Sequence, residues 1–486
     1  MDSGEARLKA LGYKQELKRD FTLVSNAAIS FSIISTLLGI TGSLPVAYNN
    51  GGAPTAVWGW ILACSMTMTV ALSMVEIVSS LPSSGWFNLL GQVAITAGID
   101  FTLANQIACM WALSNGTILS PQQLLAVYAV VLVIHGLVNS FSTRILAYMS
   151  TFSAGWHFVG GIVVTILLPC VAPTHQSASF VFTDFQGVGT TTSGVGNNAY
   201  IFFLGMLMAQ FTLTGYDACG HMNEETVSAD KTAALGIVLA VGCSSIAGLL
   251  YVLALMFSVQ DPGNLLTGNA NGYVGGQIYF DAFNARFGSG IGGIIALGVP
   301  TVAAFCCGAM SVASNSRQAT TAQDLTCTQT PLWAMVTLAF ILALPLLYST
   351  VAFSAVISIS TVGLYISYGI PILMRLINHK DFEPGPFNLG KFGPIMHPTL
   401  PGVRLVNDLR RGTQPITKHD QLEWAAVPAS GHTPHAPGMR QTQCDQHTLE
   451  DIPHAALPDV ETSALTSSKK KRYGAARYTR PTAAVH

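Results

Sequence analysis

Charge is what this sequence has least of. Only 10% of its 486 residues are Asp, Glu, Lys or Arg, while half are hydrophobic, and mean hydropathy is +0.46. A soluble globular domain carries about 25% charged residues, so the bilayer, not water, is the solvent for most of this chain. The nine cysteines include no CxxC pair and no Cys/His ligand spacing. Seven of them (Cys64, Cys109, Cys170, Cys219, Cys243, Cys306, Cys307) lie in apolar runs. That excludes a disulfide frame or a metal site and leaves packing thiols. No nucleophile elbow, P-loop, HExxH or dinucleotide fingerprint is present, so no motif points to an ATP-driven pump in one chain or to an enzyme. The near-zero net charge of −1 gives no footing for nucleic acid. The first residues, MDSGEARLKALGYKQELKRDF, lack the apolar core of a signal peptide, so the first span itself directs insertion.

Long hydrophobic runs are abundant. A span needs about 20 apolar residues, and ten candidates fall at 23–44, 55–80, 87–113, 121–141, 152–172, 198–220, 233–258, 289–313, 331–349 and 351–374. Each is read as helical, because lipid offers no partner to a backbone N–H or C=O. Ten Lys and Arg residues fall in 1–375 and thirteen in 376–486. With the N-terminus inside, the cytoplasmic loops receive Arg7, Lys9, Lys14, Lys18, Arg19, Arg144, Lys231, Arg317 and Arg375, and the opposite side only Arg286. This asymmetry places both termini in the cytoplasm. The expected organisation is a cytoplasmic segment over 1–22, a membrane core over 23–375, and a polar, disordered tail over 376–486 rich in Pro, Thr, His and Gln. Trp58, Trp60 and Trp86 are expected as interface anchors.

Three carboxylates lie inside spans: Glu76, Asp100 and Asp217. Intramembrane acids are costly and line cavities or coupling paths. Gln92, Asn105 and Gln106 share the third span with Asp100 and give it a polar interior face, while Glu76 is near enough to a span end to reach the interface. His135 and His157, in the fourth and fifth spans, read as hydrogen-bonded core residues. The first span, AAISFSIISTLLGITGSL, is studded with Ser, Thr and Gly, and the sixth, FFLGMLMAQFTLTGYDACGHMNEE, is weakened in the same way. Glycine costs about 1 kcal/mol per helical position relative to Ala. Interrupted spans at positions one and six of ten match a 5+5 inverted repeat, in which broken helices form a substrate site near the midplane. Half-helix N-termini attract a carboxylate, and freed carbonyls suit an ammonium group, so a zwitterionic amino acid meets both demands.

Several stretches carry a family resemblance: LGYKQELKRDFTLVSNAAISFSIIS, SMVEIVSSLPSSG, WFNLLGQVAIT, LTGYDACGHMNEETVSADK, SVASNSR, STVGLYISYGIPILMR and FEPGPFNLGKFG. In order and register they cover most of 7–394. The chain resembles the eukaryotic amino-acid/choline permeases of the amino acid–polyamine–organocation superfamily, and within them the plant-type bidirectional amino-acid transporters and the fungal GABA permeases. The resemblance implies an all-α, LeuT-like bundle of about ten transmembrane helices working by alternating access, a transporter and not an enzyme. It implies substrate contacts at Ser32, Ile33, Ser35, Thr36, Leu38 and Gly39 on the first break, and at Thr214, Gly215, Tyr216, Asp217 and Ala218 on the second. Asp100, Glu224 and Glu225 are candidates for coupling or gating. No cofactor is expected; H+ and Na+ are the candidate coupling ions. The partners expected are an amino acid (GABA and related amines included) and lipid, with no nucleic acid and no oligomeric state assigned. The chain departs from the family after Ser84-Gly85, after Arg317 and after Gly393, where family segments are absent and look like skipped coding segments. The alternative reading is therefore an incomplete gene model or a degenerate paralogue that senses or scaffolds without transporting.

Overall fold

The first apolar run does not form one helix. It forms α1 (Leu23–Ile34) and α2 (Thr36–Asn49), separated at Ser35, whose backbone takes the left-handed conformation with φ 32° and ψ 72°. The computed structural model describes residues 22–80, 87–141, 143–188, 196–221, 226, 228–322, 329–347, 350–377, 385–387 and 389. Glu224, Glu225, Trp86, residues 1–21 and the tail from 390 onward lie outside the described residues.

The next four runs give α3 (Ala53–Ser80), α4 (Phe87–Asn115), α5 (Pro121–Asn139) and α6 (Thr143–Val171). The second half opens on the broken sixth span, α8 (Asn198–Gly205), α9 (Leu207–Thr212) and α10 (Ala218–His221), with a short α7 (Ala178–Phe182) before it. It continues through α11 (Ala229–Phe257), α13 (Ile291–Ala322), α14 (Gln329–Ala343) and α15 (Thr350–Ile377), with α12 (Val274–Phe287) inserted between α11 and α13. Eight of the described helices are long and apolar enough to cross a bilayer. The shorter apolar helix Asn198–Thr212 and the 28-residue α15 occupy the other two expected places. Each half therefore holds five spans and opens on a broken one. Because five is odd, the second half starts on the opposite face from the first, which is the inverted repeat. The face where α1 begins is called proximal below, and that of residues 116–120 and 270–273 distal.

Capping and packing explain the boundaries. Ser120 starts α5 with a capping box, its Oγ accepting from Gln123 N–H while Gln123 Oε1 accepts from Ser120 N–H at 2.9 Å, and Pro121 follows at the first helical position. On the distal side, hydropathy does not announce α12. A tyrosine chain seats it, in which Thr41 of α2, Tyr251 of α11 and Tyr279 of α12 join hydroxyls at 2.7 and 2.9 Å. Trp60 does not anchor at an interface. It is fully buried on α3, its indole N–H donating to Ser245 O at 3.0 Å, and its ring fills the space left by Gly248. Trp58 is half exposed and its indole N–H donates to Phe182 O.

Glu76 does not reach the interface either. It is 1% exposed, pairs with Arg375 near the end of α15, and accepts Leu389 N–H at 3.1 Å. Phe387 N–H donates to Ser79 Oγ at 3.0 Å. The segment after α15 is thus tied to the proximal end of α3, which hides an otherwise costly carboxylate.

Candidate substrate site

Ser35 lies at the centre of the first break. Its hydroxyl does not cap α2, which begins without a side-chain cap bond; it meets His157 Nε2 of α6 at 2.7 Å. His157 Nδ1 faces the Ser153 carbonyl at 2.7 Å. A carbonyl only accepts, so Nδ1 carries the proton in the neutral ring, and Nε2 accepts from Ser35. The fifth span therefore fixes the left-handed kink, which in isolation costs about 1–2 kcal/mol for a residue with a side chain.

The second break runs from Leu213 to Asp217. Gly215 has φ +84°, a conformation glycine takes without a Cβ penalty, and Thr214 Oγ1 donates to Phe211 O at 2.6 Å. Helix α1, just before the first break, is bonded to the second break. Ser30 Oγ donates to Tyr216 O at 3.0 Å and accepts Cys219 N–H at 2.9 Å. Asn26 Nδ2 donates to Cys219 O at 3.3 Å, and Cys219 Sγ reaches Asn26 O at 3.3 Å.

Asp217 is 4% exposed and receives two side-chain donors, Gln92 Nε2 of α4 at 2.9 Å and Tyr368 OH of α15 at 2.8 Å. The Tyr368 ring also packs on Tyr216 at 4.9 Å. The carboxylate thus links the third, sixth and tenth spans. Neither Tyr368 nor Asn315, which donates to Gln92 O at 2.9 Å, stands out in the sequence. Both sit in apolar helices, and only their spatial neighbour gives them a role.

The residues expected at the site divide in three ways. Ser35 and Thr36 lie at the first break, and Thr214, Gly215, Tyr216, Asp217 and Ala218 at the second. Ile33 and Gly39 close the gap instead of lining it: Ile33 Cγ2 lies where a Cβ of residue 215 would be, and the Thr212 side chain lies where a Cβ of residue 39 would be. Ser32 Oγ and Tyr216 OH are buried there without a hydrogen-bond partner, and Leu38 is buried in the apolar core. Asp100 lies apart, on the face of α4 toward α5 and α13. A cavity of about 310 Å³ opens instead on the distal side, lined by Gly42, Ser43, Thr102, Asn105, Phe211 and Tyr273. Its inner end at Gly42 is one helical turn beyond Gly39.

Two sets of five spans, each beginning with a helix broken at a shared depth and cross-bonded to the other, define a membrane-embedded secondary transporter. The chain belongs to the amino acid permease family, whose pattern matches residues 82–397. It is 44% identical over 445 residues to the amino-acid permease BAT1 of Arabidopsis thaliana, covering 82% of this chain and 86% of that one. It is 42% identical to the BAT1 homolog of Oryza sativa subsp. japonica, covering 81% and 84%. The GABA-specific permease of Saccharomyces cerevisiae is 26% identical, covering 80% of this chain and 75% of its own. The solved structure of MHP1, a nucleobase-cation-symport-1 family transporter, superposes with a TM-score of 0.44 at 15% identity, covering 79% of this chain and 82% of that one.

Proposed function

We propose that the chain carries zwitterionic amino acids or closely related amines, GABA among them, by alternating access, with both termini on the cytoplasmic side. The observation that carries this reading is the pairing of the two breaks. The uncapped N-terminus of α2 presents backbone N–H groups suited to a carboxylate. Opposite it, the end of α9 and the Asp217 carboxylate suit an ammonium group. Ser32 Oγ and Tyr216 OH are buried polar atoms that a bound ligand would satisfy. The Lys and Arg asymmetry between loops supports the orientation. The cavity at Gly42 and Tyr273 is the entry vestibule from the distal face in the state described, with the inner site collapsed beneath it.

The test is uptake into proteoliposomes of a tritiated panel: alanine, leucine, arginine and GABA. Saturable uptake of at least one, competed by its unlabelled form and abolished by Gly39→Leu or Gly215→Leu, is the expected result. Folded, inserted protein that moves none of them would instead fit a sensor or scaffold.

A further inference from the structure

Asp100 and His135 are both fully buried, and Asp100 Oδ1 stands 3.0 Å from His135 Nδ1. The pair is not aligned for hydrogen bonding. Neither carboxylate oxygen and neither ring nitrogen has a hydrogen-bond partner. Asp100 is 15 residues from the distal end of α4, and His135 is 14 from that of α5. At 1.5 Å per residue both sit roughly 21–23 Å from the distal ends of their helices, which puts Asp100 at the middle of α4 and His135 one turn from the proximal end of α5. An acid at the centre of a spanning helix costs about 2.5–3.5 kcal/mol to insert, and apolar residues of similar volume would commonly be as stabilising as the pair. Structure alone does not account for it.

A third helix is shaped to admit the pair. At Gly308 of α13 any Cβ would strike Asp100 Oδ1 and the His135 ring. Asn139 Nδ2 holds α5 to α13 through Ala309 O at 3.0 Å. From that point a polar ladder runs proximally between the antiparallel α4 and α13. On α4 it uses Thr96 and Gln92, which with Asp100 are four residues apart on one face. On α13 it uses Ser311 and Asn315, below Gly308. Thr96 and Ser311 join hydroxyls at 2.8 Å, and Asn315 Nδ2 donates to Thr96 Oγ1 at 2.6 Å and to Gln92 O at 2.9 Å. Gln92 then donates to Asp217 at the second break. The ladder has no bond to Asp100 itself and ends one helical turn below it.

We propose that Asp100 and His135 form a proton-binding site, and that its occupancy is communicated to the second break through Thr96, Ser311, Asn315 and Gln92. The proposal deepens the transport reading and rests on it for the coupling. With one shared proton the pair is net neutral, the cheapest state in a low dielectric. Without it the pair carries a net negative charge. The proton enters from water as H3O+, is held between the carboxylate and the imidazole, and leaves to water on the other face; no other bond changes. Among the described residues, the other titratable groups close enough to feel the Asp100 charge are Tyr128 of α5 and Cys307 of α13. The pair's ring neighbour is Phe305 of α13, 4.7 Å from the His135 ring. From α14, Trp333 and Val336 pack at Gly136, one residue beyond His135. From α1, Ile33 offers only its backbone carbonyl to Cys307 Sγ. Arg375, the cation of α15, is engaged with Glu76.

Two measurements on the full chain in phosphatidylcholine–phosphatidylglycerol vesicles test it. Infrared difference spectra recorded across a pH series should show a titrating carboxyl band that Asp100→Asn removes and His135→Gln shifts. Absence of such a band overturns the site. Initial uptake of the tritiated panel, with membrane potential clamped, should fall about tenfold per pH unit on the alkaline side in wild type. It should become pH-independent in Asp100→Asn while exchange of labelled for unlabelled substrate persists. A variant that exchanges and keeps the wild-type pH profile overturns the coupling. A titrating Asp100 band in protein that moves no amino acid removes the coupling and the transport reading together, and leaves the proton site standing.

Discussion

Gly215→Ala tests the second break most directly, because two separable costs meet at one atom. Gly215 has φ +84°, where a residue with a side chain costs about 1–2 kcal/mol. The added Cβ would also overlap Ile33 Cγ2, and overpacking a filled core costs about 1–3 kcal/mol. Together the substitution destabilises the state described by about 2–5 kcal/mol. Ile33→Ala removes the offending methyl but leaves a void, at a cost of about 2–5 kcal/mol on its own. In the double variant the new methyl occupies part of that void. The costs should therefore not add, and the cycle should return a favourable coupling of about 1–3 kcal/mol, with the backbone part unrecovered. Melting of the four proteins in detergent micelles is the assay. Additive losses would mean that Ile33 and Gly215 are not in contact, and the closed arrangement of the breaks would be wrong.

His157→Phe leaves Ser35 without its acceptor and should lower stability by about 1–2 kcal/mol, measured as a lower melting temperature; Ser35→Gly on that background should recover part of it by removing the left-handed strain. Arg375→Gln uncovers the buried Glu76 and should approach the 3–5 kcal/mol typical of breaking a buried pair, reduced by partial exposure at about 14%, while Glu76→Gln with Arg375→Gln melts closer to wild type. Asp281, on α12 outside the spans, has its carboxyl raised above the ordinary range by burial, which outweighs the lowering hydrogen bonds from Gln277 and Asn264, with a small further rise from Asp261. A raised carboxyl favours the protonated folded form, so its contribution to stability is full below about pH 4 and is lost as pH rises through the folded value. Asp281→Asn should accordingly melt higher than wild type at neutral pH and no higher in acid, read by parallel thermal scans.

The spans were legible because apolar length is a strong signal and lipid leaves the backbone no alternative to helix. The breaks are legible in part: Gly215 marks the second, but in the first span Gly39, Thr41, Gly42 and Ser43, which read as the interruption, lie within the continuous α2, and the chain breaks at Ser35 instead. The distal helix α12 was not, because it crosses nothing and its residues carry a mixed pattern. Nor did spacing reveal which polar residues meet. Gln92 and Asp217 are 125 residues apart and Tyr368 is another 151 beyond, so their junction exists only after five or more helices pack. Asp100 was singled out by its cost in lipid, but its partner His135 read as one histidine on an apolar helix. Glu76 reads from sequence as able to reach the interface, because the residues that cover it follow the last span and carry no hydropathy signal.

Gly39 shows why the glycines at the breaks are surfaces of closure. In the state described Thr212 fills the space beside Gly39, so a zwitterion can lie between the breaks only after α2 and α9 separate. Gly39→Ala adds one methyl against Thr212 and raises the closed state by about 1–3 kcal/mol. The loaded state, with the helices apart, has room for that methyl and escapes the penalty. When the closed state dominates the empty protein, apparent affinity is reduced by the fraction that is open. Raising the closed state by that amount should thus tighten binding about 5- to 150-fold, even as the empty protein melts lower. Gly39→Leu fills the opened space as well and should bind nothing. Opposite effects of Ala and Leu at one position, measured by equilibrium binding of a transported amino acid, would locate the ligand between the helices. Equal losses in both would place it elsewhere, with the vestibule at Gly42 and Tyr273 as the remaining candidate.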